Sequence, residues 1–141
     1  MFIYHGWIEI EHQDYFQKWI DVQIAYPEYR KRILEITSNL KEIAEEQFDI
    51  PETDLRIMDG TNGIVTVHLS GGRNHFHYGV AELLGWIKEN APMSHGLVFC
   101  RDDENDRFDN KYWVMRLAKN QIQELEDSYL SPIDKVIENK H

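Results

Sequence analysis

One cysteine, Cys100, stands in 141 residues. A lone thiol excludes an internal disulfide and any zinc site built on cysteines. No apolar run approaches the ~20 residues that a membrane-spanning helix needs. Basic residues are in deficit: 15 Lys and Arg face 25 Asp and Glu, a net charge of −10. Such a surface repels phosphate, so nucleic acid and anionic membranes are poor partners and a basic protein is a favourable one. The opening MFIYHGWIEIEH has no basic n-region and soon meets Glu9 and Glu11, so it does not read as a signal peptide. A reducing cytoplasm is the expected location.

What is present suffices for a real core. Apolar residues make up 42% of the chain, with four Trp, seven Tyr and six Phe, too apolar for disorder. No repeat, linker or low-complexity tract divides it, so residues 1–141 are expected to form one domain.

Residues 2–10, FIYHGWIEI, predict a strand. Phe2, Tyr4, Ile8 and Ile10 share one face. His5, Trp7 and Glu9 share the other, where Trp7 either covers a small second cluster or stands exposed. Residues 13–48 hold no Gly and only Pro27. The spacing of Tyr29, Ile33, Ile36, Leu40 and Ile43 predicts a helix over 29–48 that starts near Pro27. Residues 14–25 read as a shorter helix, with a strand at 20–26 as the alternative.

LRIM at 55–58 and IVTVHLS at 64–70 predict a hairpin turning at DGTNG. SGGRN reads as a glycine turn with Asn74 as N-cap. The stripe Phe76, Val80, Leu83, Leu84, Ile87 predicts a helix to Asn90, stopped by Pro92. Residues 97–101 and 111–118 form a second predicted hairpin, and 121–126 one further strand. The expected fold is α+β, a mostly antiparallel sheet with helices packed on one face. The opposite face, with His5, Trp7, Thr66 and His68, is expected to stay wet. Its edge strands leave the oligomeric state open.

The hairpin loop RDDENDRFDN crowds Asp102, Asp103, Glu104 and Asp106 together. A calcium loop started at Asp102 would put Arg107 where Gly is needed and Trp113 where Glu is needed, so that register fails. The carboxylates then either meet a basic partner or bond backbone N–H groups in the turn. NHFHYG offers His75 and His77, which diverge if they open a helix. If the helix starts later, His68, His75 and His77 with an acid such as Asp59 could hold a metal, and a metal-dependent hydrolase is the enzyme alternative. No G-x-S-x-G or phosphate-loop pattern occurs. Cys100, in a strand beside carboxylates, reads as an apolar filler. The residues point to a binder with no cofactor, no metal and no catalytic group.

YHGWI at 4–8, HLSGGRNH at 68–75, ELLGWIKENAPMSHGLVFCRDDEND at 82–106 and EDSYLSPIDKVIE at 126–138 together resemble the immunity protein 7 family of bacterial polymorphic toxin systems. The resemblance implies a small cytosolic α+β protein, not an enzyme, that protects its producer by binding a cognate toxin domain. Nucleases are common among the linked toxins. On this reading Asp102, Asp103, Glu104 and Asp106 steer a basic toxin, while Trp7, His5 and Tyr112 supply contact.

Overall fold

The computed structural model describes residues 1–12, 22–60 and 64–133. Six strands form one sheet in the order β2-β3-β1-β4-β5-β6, and every neighbouring pair is antiparallel. The strands are β1 (Phe2–Glu9), β2 (Leu55–Asp59), β3 (Val65–Arg73), β4 (His95–Asp102), β5 (Trp113–Ala118) and β6 (Gln121–Glu126). Two helices, α1 (Val22–Glu46) and α2 (Gly79–Asn90), are described. The α+β expectation holds.

Alternation along β1 sorts the residues as expected. Phe2, Tyr4 and Ile8 are buried, as is Ile10 just beyond the strand. They join Val65, Val67 and Leu69 of β3 and Val98 and Cys100 of β4 in one core. The helices close this face: α1 contributes Ile33, Leu40 and Ala44, and α2 contributes Val80, Leu83, Leu84 and Ile87. Thr37, buried on the same stripe of α1, satisfies its hydroxyl by donating to the Ile33 carbonyl (3.1 Å). Burial pushes the Cys100 thiol up, so it stays protonated, in keeping with a filler.

Three boundaries differ from the sequence expectation. Pro27 lies inside α1, which is described from Val22, and does not open the helix. The missing N–H costs one hydrogen bond, and the rest of the 25-residue helix packs well enough to absorb it. SGG is strand, not turn: β3 runs to Arg73. A Cβ at Gly71 would lie 2.1 Å from Asp54 Oδ2 and 2.7 Å from the Tyr4 hydroxyl, so glycine there admits the Tyr4–Asp54 hydrogen bond (2.5 Å). Finally, α2 begins at Gly79, so Phe76 precedes it and Asn74 does not cap it. The Gly79 N–H instead donates to His77 Nδ1 (2.8 Å), and Phe76 packs edge-on against Phe2 (5.1 Å between centroids). The expected Asn62-Gly63 turn and the expected helix at 14–25 fall wholly or largely outside the described residues.

The segment after β6 is held by Asp127. Its carboxylate accepts the N–H of Tyr129 (2.9 Å) and Leu130 (3.0 Å) and the hydroxyl of Ser131 (3.0 Å). Ser131 in turn accepts the Tyr112 N–H (2.7 Å). Burial acts to raise this carboxyl, but the hydrogen bonds outweigh it and hold it below the usual carboxylate range. A depressed native pKa stabilises the fold above the ordinary value of ~3.9, and the contribution is lost as pH falls through the native value. Asp127→Ala strands three donors and is expected to cost about 2 kcal/mol at neutral pH. Urea denaturation checks this: the midpoint drops at pH 7, and the gap from wild type narrows in strong acid.

Candidate partner-binding face

The second face of the sheet carries no described helix. Strand register assembles it: Trp7 of β1 lies between His68 of β3 and Leu97 of β4, and His5 lies between Ser70 and Phe99. Farther out, Phe99 faces Val114 of β5, which faces Leu125 of β6. Trp7 is 40% exposed, an open position for a residue type that is highly buried on average. Of the two roles weighed for it, the exposed one holds. Close strand approach underlies the arrangement: a Cβ on Gly96 would lie 2.0 Å from the Trp7 carbonyl oxygen.

His5 is exposed, and its Nδ1 is 2.9 Å from the Ser70 hydroxyl. Tyr112 sits just before β5, half-buried, with its ring edge-on to Phe99 at 6.4 Å. Beside Trp7, a shallow depression of about 290 Å³ is lined by Thr53, Asp54, Arg56, Met58, His68 and Ser70. This face is not itself acidic. Its strand positions include Arg56, Arg101 and Arg116 against Glu9.

The acids gather at one end, in the β4–β5 loop, and they are not alike. Asp102 is buried at 5% exposure, and its Oδ1 accepts the Glu104 N–H (3.0 Å). It builds the turn, which removes it from the contact set the sequence suggested. Asp103 is exposed and 2.5 Å from the Met1 ammonium, whose hydrogen bond holds the carboxyl below its usual range. Glu104 is exposed with its carboxylate on His75 Nδ1 (2.9 Å). Asp106 is exposed at the start of a short 3-10 turn, Asp106–Phe108. The loop starts six residues beyond Leu97, so Trp7 and the loop lie roughly 20 Å apart at ~3.3 Å per residue. One partner covering a standard ~800 Å² patch spans both.

The histidines weighed for a hydrolase are not brought together. His75 is on Glu104, His77 is on the Gly79 N–H and 3.5 Å from Asp49, and His68 lies on the second sheet face across from Trp7. Asp59 instead pairs with Arg30 (2.5 Å).

Three groups went unpredicted. Leu97 and Phe99 belong to the apolar strip, and the period-2 pattern of LVFCR separates them from Val98 and Cys100. Arg101 and Arg116 follow the same parity. Glu9, Glu11 and His95 converge at the far end of the face, with one donor atom from each within 4.8 Å of the others. Burial pushes the Glu11 carboxyl up, His95 opposes that, and Glu9 adds to it.

A family model described as immunity protein 7 matches residues 1–139. No curated protein and no solved structure matches the chain. Among the described residues, no helix is long and apolar enough to cross a membrane.

Proposed function

The chain belongs to the immunity protein 7 family, and on that premise we propose that it neutralises a cognate bacterial toxin domain by binding it directly, in the cytoplasm, as an inhibitor and not a catalyst. The observation that carries the choice of surface is Trp7, exposed among Leu97, Phe99 and His5 on a sheet face that no described helix covers. Large exposed apolar strips on soluble domains mark contact sites, and Trp and Tyr dominate the energetics of such contacts.

Charge supports a basic partner. The chain carries −10 overall, and Asp103, Glu104 and Asp106 project at the loop end of the face. A nuclease domain fits, because it must hold phosphate on a positive surface. The acids act mainly on encounter: steering raises association toward roughly 10⁸–10⁹ M⁻¹s⁻¹ at low salt, against ~10⁵–10⁶ M⁻¹s⁻¹ for a neutral pair. Buried contact around Trp7, His5 and Tyr112 sets the dissociation rate.

Co-expression with the toxin encoded by the adjacent gene tests the reading. Cells producing both are expected to grow, and the two proteins to purify together. Toxicity unrelieved by this chain, with no complex in a pull-down, would refute it.

A further inference from the structure

We propose that Glu9, Glu11 and His95 form a binding site for a divalent transition-metal ion, at the end of the Trp7 face away from the acidic loop. The proposal does not rest on the toxin-binding reading and goes beyond it.

Register creates the first half of the site. Glu9 of β1 stands directly across from His95 of β4, and His95 Nε2 lies 3.0 Å from Glu9 Oε2. Glu11 lies two residues on, so alternation returns its side chain to the same side as Glu9. Ser94 anchors this second half: its hydroxyl accepts the Glu11 N–H (3.0 Å) and donates to the Glu11 carbonyl (3.3 Å). Ser94 is buried and is the chain neighbour of His95. One fixed serine therefore holds both the backbone that carries Glu11 and the strand that carries His95.

The donor set decides the class of ion. One imidazole nitrogen and two carboxylate oxygens suit Zn²⁺, Co²⁺, Ni²⁺ or Mn²⁺, whereas Ca²⁺ and Mg²⁺ favour oxygen alone. Donor atoms within 4.8 Å of one another each need to move inward by less than about 1 Å, to separations of roughly 3.4 Å, to ligate one ion at ~2.0–2.2 Å. Side-chain rotation supplies that at partly open positions: the His95 and Glu9 side chains are 45% and 34% exposed. A dication also offsets two neighbouring carboxylates. Three protein ligands leave at least one coordination position open to water or to a donor from outside.

The test uses untagged full-length protein freed of metal by a chelator. Titration calorimetry with Zn²⁺ is expected to give one site of micromolar affinity. Glu11→Gln and His95→Gln are each expected to weaken it at least 10-fold, while His75→Gln, far along the surface, leaves it unchanged. Co²⁺ added to the wild-type protein gives a readout that needs no variant: d–d bands differing from those of the hexaaqua ion. Absence of Zn²⁺ binding with an unaltered Co²⁺ spectrum would overturn the proposal. So would an affinity that survives both Glu11→Gln and His95→Gln.

Discussion

Replacing Trp7 with alanine is expected to weaken the toxin complex by at least about 2 kcal/mol, roughly 30-fold, without unfolding the protein. The two halves of that expectation have separate causes. Trp7 points away from the core, where Phe2, Tyr4 and Ile8 do the packing, so truncation leaves no internal cavity. At an interface, the same ring offers a large exposed apolar surface beside a depression lined by Met58, His68 and Ser70. The loss should appear in the dissociation rate. Glu104→Gln provides the contrast: a charge at the rim alters the association rate and its salt dependence, with little effect on dissociation. Surface plasmon resonance separates the two, and a melting curve confirms that Trp7→Ala is folded.

The second large effect is on stability. Phe2→Ala is expected to cost about 4 kcal/mol and to lower Tm by about 10–15 °C. Phe2 is fully buried. Its ring meets Tyr4 at 5.8 Å, Phe76 at 5.1 Å and Trp113 at 6.1 Å between centroids. It joins the first strand, the segment before α2 and the first residue of β5 in one aromatic cluster. Rigid rings on several sides cannot collapse into the space left behind, so the cavity penalty adds to the lost burial. Against a typical total of about 5–15 kcal/mol, this is a large fraction. Urea or thermal denaturation measures it directly.

Much of the sheet was legible because β-strands print their orientation every second residue. FIYHGWIEI announces both the buried and the open side of β1, and that alone placed His5 and Trp7 together. The same parity was available in LVFCRD and was decisive for Asp102. Val98, Cys100 and Asp102 share the inner side, so β4, extended by one residue, carries its last acid into the protein. Asp102 reads as a surface acid only if the strand is taken to end at Arg101.

Local punctuation was less informative. Two successive glycines suggest a turn, yet Gly71 sits in a strand because Asp54 and Tyr4 occupy the space of its side chain. That reason comes from another part of the chain and leaves no local signal. Pro27 suggests a helix start, and tertiary packing overrides the preference. The helix at α2 starts late because a histidine ring, not Asn74, takes its first N–H. The cluster of Glu9, Glu11 and His95 could not be read from spacing at all. It exists only once β1 and β4 are known to be neighbours and in register.

We propose that the sheet face that no described helix covers, with Trp7 at its middle, is where a toxin domain docks. Hydrogen exchange on the purified complex addresses it most directly. Protection is predicted in β1 and β4, over residues 3–9 and 95–101, and in the acidic loop at 103–106. A stable complex whose added protection falls on α1 and spares those strands would contradict it.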